Sequence, residues 1–295
     1  TKELTLACLQ SIFQQTGDIS FEVIVLDNDS QDGSAKAIAA AFPQVKLLAH
    51  SENLGFAGGN NLAAKKGAGE YILLINPDTV VLDGAIQKLL RFAKANPAAG
   101  IWGGRTLFAD KSLNPASCWR KPTLWEIFCR SFMLASLFPN SFVFNSGSYS
   151  GWDRSTIRQV DIVSGCFFLL KRELWEKLDG FSPEFFMYGE EVDLCLRAKK
   201  FGVKPLVTPD ATIIHYGGAS EKILADKMVR LLKAKRLLMK NHWSARKYGV
   251  GKFIFQMYPF SRMIVSKTLG LFKEKFSKNA DVWVELWRRR KEWLA

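Results

Sequence analysis

Apolar positions in the first hundred residues come in short blocks separated by polar loops. Leu4, Cys8 and Ile12 share one face at helical spacing. Residues 21–26 (FEVIVL) are apolar and rich in β-branched side chains, and end in Asp27-Asn28-Asp29-Ser30. That pattern predicts a buried strand closing in a polar loop. An Ala-rich helix is expected over 35–41 and a second strand over 45–49. A Gly/Asn loop over 53–61 should lead into a helix through about residue 66. A third strand over 71–75 (YILLI) runs into Asn76-Pro77-Asp78-Thr79, followed by a helix over about 84–95. Strand, loop and helix in alternation predict a mostly parallel α/β sheet flanked by helices. Ligands of such sheets sit outside the carboxyl ends of the strands, where Asp27 and Asp78 fall.

Residues 105–160 are less regular and read as insertions and loops over the sheet edge. Residues 160–171 predict a strand, a turn at Ser164-Gly165 and another strand. A short helix over 173–178 closes at Asp179-Gly180, and a helix over 190–197 opens on Glu190-Glu191. A late strand over 204–207 and the stretch 213–220 (IIHYGGAS) follow. The remainder is mostly helical. Leu224, Leu231 and Leu238 recur every seven residues, with Lys227, Arg230, Lys233 and Lys240 on other faces. Aromatic residues follow at Phe253, Phe255, Tyr258, Phe260, Trp283, Trp287 and Trp293.

Charge divides the chain in the same place. Of 295 residues 41 are Lys or Arg and 28 Asp or Glu, a net of +13. Residues 1–221 carry 22 basic and 23 acidic side chains, and 222–295 carry 19 and 5. The expected organisation is therefore a near-neutral domain over 1–221 and a basic amphipathic helical extension over 222–295. With 48% hydrophobic residues the chain can bury a core. Five scattered cysteines without a CxxC pair argue for reduced thiols. No apolar run approaches the roughly 18 residues that span a bilayer. The chain opens at Thr1 without Met and enters a helical pattern directly, which suggests that a first strand has been trimmed.

The candidate chemistry lies in an acid after each of two strands, a paired acid at a helix start and a His after the last strand. A strand-end carboxylate such as Asp78 suits Mg²⁺ or Mn²⁺, usually held by one or two carboxylates plus substrate phosphates; a turn with a capping Asp is the alternative. In Glu190-Glu191 the two carboxylates repel, and one with a raised pKa would serve as a general base. Acids favouring the helix dipole are the alternative. His215 is either a packed histidine or a ligand beside the close-approach Gly-Gly that follows it. The 53–61 loop has backbone N–H groups for phosphate at a helix start, but lacks both a P-loop Lys and GxGxxG.

The stretches VIVLDNDSQDGS (23–34), NLGFAGGNN (53–61), LLINPDT (73–79), residues 160–202 and IIHYGGAS (213–220) together resemble the family 2 glycosyltransferases of GT-A type (Rossmann-like) fold, in particular the rhamnosyl- and galactofuranosyltransferase branch. The resemblance implies that Asp27 contacts the donor nucleobase, with Asn28, Asn53 and Gly59 also in the donor nucleotide site. Asn76 and Asp78 stand at the Asp-x-Asp motif. Asp78 would bind the metal, Mg²⁺ or Mn²⁺, and Asn76, a departure from the motif, the ribose or a metal-bound water. Glu191 would be the general base, with Glu190 its neighbour or, in the other register of the motif, the base itself, His215 a further metal ligand, and Ser164-Gly165 the border of the acceptor site. The family's first strand has no counterpart before Thr1. The implied reaction is inverting: Glu191 takes the proton of an acceptor hydroxyl as it attacks the anomeric carbon.

The expected donor is a nucleotide-diphosphate sugar, dTDP-rhamnose first and a UDP-sugar second, and the expected acceptor a lipid-linked saccharide. The basic extension is read as docking on an anionic membrane surface, with Lys235 and Arg236 near the acceptor diphosphate; nucleic-acid binding and plain helix packing are the other readings. No nucleic-acid partner is expected, and the location is cytoplasmic, peripheral on the inner face of the membrane. A non-catalytic binding protein on a degenerate GT-A scaffold is the competing function, and a sugar-nucleotide pyrophosphorylase a distant third.

Overall fold

A computed structural model describes residues 1–217, 224–270 and 274–295, with backbone alone at 269, 270 and 274–279. The last three residues of the 213–220 stretch and the expected 221/222 boundary lie outside the described residues. The chain forms two compact units, Thr1–Trp119 with Asp153–Ser220, and Arg120–Trp152 with Glu221–Ala295.

The first unit contains α1 (Lys2–Gln15), β1 (Ile24–Asn28), α2 (Ser34–Ala41), β2 (Lys46–His50), α3 (Gly55–Ala64), β3 (Tyr71–Ile75), β4 (Thr79–Val81), α4 (Ala85–Ala95), β5 (Ile101–Leu107), β6 (Leu113–Asn114) and β7 (Cys118–Trp119). After the segment given to the second unit come β8 (Arg158–Gln159), β9 (Ile162–Val163), β10 (Phe167–Lys171), α7 (Arg172–Lys177), α8 (Glu190–Lys199) and β11 (Leu206–His215). The class is α/β, as the alternation predicts. The pairing is mixed rather than mostly parallel. β1 and β2 form a parallel pair, and the main sheet runs β3-β10-β5-β11-β4, with β6 on β5 and β8 on β11. Of its main pairings only β5 with β11 is parallel. β10 lies antiparallel between β3 and β5, and its four buried residues Phe167–Leu170 explain the continuous apolar run of a central strand.

Two expected boundaries move. The Gly/Asn run is helical from Gly55, and the late strand joins the 213–215 segment into one ten-residue strand, β11, whose register shifts between Val207 and Thr212, around Pro209. The core has Ala85, Leu89 and Ala93 of α4 against Trp102, Phe167, Leu169 and Ile213 of the sheet. Cys8 and Ile12 of the predicted α1 stripe join it. Leu9 with Ile38 and Val45 forms a smaller cluster with the β1/β2 pair.

The second unit contains α5 (Leu124–Ser131), α6 (Leu134–Leu137), α9 (Leu224–His242), α10 (Ala245–Gly270), α11 (Glu274–Arg288) and α12 (Arg290–Leu294). Residues 120–152, expected over the sheet edge, group here instead. Ile127 of α5 packs with Val229, Leu232, Met239, Phe255, Leu286 and Trp293. Val229, Leu232, Ala234, Arg236, Leu238 and Met239 of α9 are buried, while Leu224 of the seven-residue repeat is 55% exposed. Gly251 leaves room for the Trp243 ring and for α5: a Cβ there would collide with Trp243 and lie 3.3 Å from Leu124 Cδ2. Among the described residues no helix is long and apolar enough to cross a membrane.

Candidate functional site

The Asn28 side chain organises the entry to α3. Its Nδ2 donates to Asn53 Oδ1 and to the Gly55 carbonyl, both at 3.1 Å, and its Oδ1 accepts from Leu54 N–H at 2.7 Å. Gly55 has φ +70°, and an added Cβ would collide with the Phe186 carbonyl, which accepts from Phe56 N–H at 2.8 Å. Gly59 faces the same strand end, since a Cβ there would sit 2.8 Å from Leu26 Cδ2 and 3.8 Å from Asn28 Nδ2. Asp27 beside it is buried and accepts from Ser30 N–H at 3.4 Å. Four of the five expected donor residues, Asp27, Asn28, Asn53 and Gly59, thus gather where β1 ends and α3 begins.

Asn76 belongs to a second group. The antiparallel pairing of β11 with β4 sets His215 opposite Thr79, next to Asp78. His215 Nε2 lies 3.4 Å from Asp78 Oδ1 and 3.3 Å from Asn76 Nδ2. One ring nitrogen cannot accept from Asn76 and donate to Asp78 at once, so the cluster has two proton arrangements. Burial opposes the His215 charge, but Asp78 and Cys166 overcome it and raise the pKa to about 10. Burial likewise opposes the Asp78 charge, and His215 holds its carboxyl below the ordinary value. Asn76 Oδ1 and His215 Nδ1 are buried without hydrogen-bond partners. The local backbone is pinned: Asn76 N–H donates to the Cys166 carbonyl at 3.3 Å, Thr79 Oγ1 to the Asn76 carbonyl at 2.8 Å, and Asn114 Nδ2 to the His215 carbonyl at 3.2 Å. Among the described residues no three His, Cys, Asp or Glu side chains group tightly enough to hold a metal ion by themselves. The available donors are therefore one carboxylate, one imidazole and the Asn76 amide.

The third group lies at the start of α8. Tyr188 (φ 71°) and Gly189 (φ 89°) are both left-handed and turn the chain into Glu190-Glu191. The helix is tied down farther along by Arg197, which pairs with Asp193 at 2.7 Å and donates to the Leu178 and Gly180 carbonyls at 2.5 and 2.8 Å. Glu190 is buried and Glu191 half-buried, and one oxygen of each lacks a partner. Burial, and then Glu191, raise Glu190 to about 9; burial raises Glu191 too. A Cβ on Gly165 would lie 3.3 Å from Phe56 Cζ and 4.0 Å from Glu191 Cβ. The Ser164-Gly165-Cys166 turn therefore meets Glu191 and Phe56 through Gly165, and Asn76 and His215 through Cys166.

The raised Glu190 fixes the sign of a stability effect. A carboxyl whose folded pKa exceeds its ordinary 4.5 supports the fold fully below that pH and loses its contribution as pH rises through about 9. Glu190→Gln is expected to stabilise the chain by a few kcal/mol at pH 8, at about 1.4 kcal/mol per pKa unit, and by almost nothing at pH 4. Thermal melts at the two pH values check this; equal shifts at both would show that the carboxyl ionises freely.

The expected residues thus form one group where β1 ends and α3 begins and another around Asp78, His215 and the start of α8, with Phe56 of α3 approaching the turn that borders the second. Phe56, Phe186, Cys166 and Asn114 were not anticipated. Cys166 and Phe56 carried a sequence signal, lying next to Gly165 and Gly55, whereas Asn114 had none. Lys235 does not stand free for an acceptor diphosphate: its Nζ donates to buried Glu126 at 3.1 Å. Arg236 is buried, 3.3 Å from the Tyr248 hydroxyl.

The family model for glycosyl transferase family 2 matches residues 2–179. N-acetylglucosaminyl-diphospho-decaprenol L-rhamnosyltransferase of Mycobacterium tuberculosis is 31% identical over 66% of this chain and 66% of its own length. Rhamnosyltransferase WbbL of Escherichia coli is 28% identical over 60% of the chain and 66% of its own length. The alignments thus span about two thirds of these relatives. Among solved structures, the mannosyltransferase PcManGT of Pyrobaculum calidifontis, in complex with GDP-Man and Mn²⁺, superposes with a TM-score of 0.56 at 16% identity, covering 97% of this chain and 81% of that one. That likeness shows the fold, which is of GT-A type. With more than half of its residues matched by the family model, the chain belongs to glycosyl transferase family 2.

Proposed function

We propose that the chain is an inverting glycosyltransferase that moves rhamnose from dTDP-rhamnose to a lipid-linked saccharide in cell-surface polysaccharide synthesis. The observation that carries this reading is the 164–166 turn, which touches the Asn76–Asp78–His215 group at Cys166 and Glu191 at Gly165. A leaving diphosphate and an incoming hydroxyl need those two groups side by side. The similarity to two rhamnosyltransferases supports the sugar, and the diphospho-decaprenol in one relative's name supports a lipid-diphosphate acceptor.

The donor set fits Mg²⁺ or Mn²⁺: Asp78 and His215 supply two ligands, substrate phosphates would supply more, and the orphaned Asn76 Oδ1 would face the ion or its water. When bound, such a cation neutralises the charge that develops on the leaving nucleotide diphosphate. Asp27, Asn28, Asn53 and Gly59 hold the nucleotide, and Ser164-Gly165 border the acceptor. Glu191 takes the proton of the acceptor hydroxyl as that oxygen attacks the anomeric carbon from the face opposite the diphosphate. One displacement inverts the anomeric centre. The location that suits such an acceptor is the cytoplasmic face of the membrane, with the chain held peripherally.

The test is a transfer assay of dTDP-, UDP- and GDP-sugars with Mn²⁺ and a diphosphoprenyl-GlcNAc acceptor, with the anomeric configuration of the product read by NMR. Transfer from dTDP-rhamnose with inversion is expected. A UDP-sugar preference would replace the donor, and tight donor binding without transfer to any acceptor would turn the reading to a non-catalytic scaffold.

A further inference from the structure

The second unit carries both an excess of charge and an unburied apolar surface. It holds 22 basic and 7 acidic residues, a net of +15, against −2 for the first unit. The apolar side chains of its helices that attract attention in the sequence, Phe255 and Trp293 above all, are spent on its own core. The exposed ones lie elsewhere. Trp125, Phe132, Leu137, Phe138 and Phe142 are 46%, 45%, 68%, 49% and 76% exposed. Trp125, Phe132 and Phe138 belong to one aromatic cluster, in which Trp125 touches Phe128 and Phe144, Phe128 touches Phe132, and Phe138 touches Phe144, with ring centroids 4.7–6.3 Å apart, and Leu137 and Phe142 lie on the same stretch of chain. Trp125 Nε1 donates to the Val143 carbonyl at 2.9 Å and fixes α5 to the loop that follows α6.

The neighbouring helix repeats the pattern. α10 lies along α5, since Ser261 Oγ donates to the Ser131 carbonyl at 2.6 Å and Arg262 Nη1 to the Arg130 carbonyl at 2.9 Å. Residues 246, 250, 253, 257, 260, 264 and 267 fall on one face of α10 at alternating spacings of four and three. Val250, Phe253 and Ile264 on that face are 48%, 69% and 47% exposed, and exposed Arg246 and Lys267 end the stripe.

We propose that the exposed apolar side chains of this unit, those of residues 125–142 and those of the α10 stripe, insert into the interface of an anionic bilayer, with the basic excess of the unit drawing it there. Aromatic and aliphatic side chains rimmed by Arg and Lys suit the headgroup boundary, and the net positive charge matches anionic lipid. The inference rests on the lipid-linked acceptor proposed above and moves membrane contact from the general basic face of the last 74 residues to named side chains.

The experiment is co-sedimentation of the full chain with vesicles of phosphatidylcholine and phosphatidylglycerol in equal parts, using the parent and the double variant Phe142→Asp/Phe253→Asp. Both positions are largely exposed, so the melting midpoint should not change. Binding is expected to fall at least about tenfold in the variant, to weaken with salt in the parent, and to vanish on pure phosphatidylcholine. Brominated lipid should quench parent Trp fluorescence. Unchanged vesicle binding by the variant would overturn the proposal. So would a parent dimer that the variant splits in sedimentation velocity without vesicles, since the surface would then belong to a second copy. Neither donor nor acceptor is used, and turnover on a water-soluble acceptor tests the enzymatic reading separately.

Discussion

Glu191→Gln is expected to lower kcat by about 10²–10⁴-fold, the usual contribution of a positioned general base, with little change in donor affinity. Gln keeps the shape and the polar contacts but cannot take a proton. Glu191 is the member of the acidic pair that meets Gly165, the turn residue proposed to border the acceptor. Burial raises its pKa, so its proton-accepting form gains population only as pH climbs. The parent's kcat/KM should therefore rise with pH across the neutral and mildly alkaline range. The apparent pKa values belong to the coupled pair rather than to either residue. In Glu191→Gln that rise should disappear, while Glu190→Gln, which leaves a neutral neighbour beside Glu191 as the protonated Glu190 does, should keep it. Near-normal turnover in Glu191→Gln, with loss in Glu190→Gln, would exchange the two roles.

Asp78→Ala should cost about 10³-fold in kcat/KM, from the several kcal/mol that a divalent cation gives to a departing phosphate. His215→Ala should cost less, because Asp78 is the anionic member of the donor set. EDTA should abolish transfer by the parent, and added Mn²⁺ should restore it. A calorimetric titration with Mn²⁺ and a nucleoside diphosphate gives a readout apart from turnover: the parent should bind the pair together, and Asp78→Ala should not. Full activity in EDTA would remove Asp78 and His215 from the metal role and leave them as the ion pair they form with each other.

Much of the site was legible because polar residues at strand ends stand out against apolar runs. Asp27, Asn28, Asn76, Asp78 and His215 each follow or close such a run, and a strand in an α/β fold delivers its last residues to the ligand-binding edge. The partners of these residues were not legible. Nothing local in the sequence says that β11 pairs with β4, yet that pairing brings His215 to Asp78. An apolar run such as 167–170 reports burial on both faces but not the direction of its neighbours, which is why a mostly parallel sheet was expected and a mixed one found.

The packing of the helical extension was not legible for a related reason. A heptad of leucines reports an apolar face, not what covers it. Leu238 is buried and Leu224 is not, and the core that Val229, Leu232 and Met239 of the same helix enter is completed by Ile127, far away in sequence. The aromatic run after residue 124 looked like an irregular insertion and instead belongs to that unit.

The sequence by itself determined the α/β class, the family, most element positions and which side chains can act as acids, bases and ligands, because periodicity and residue chemistry are local properties. Only the tertiary structure decided which of them meet: Asn76 with His215, Gly165 with Glu191, Lys235 with Glu126. Contacts of that kind join residues 26 to 139 positions apart, with their separation set by strand pairing and core packing rather than by spacing along the chain.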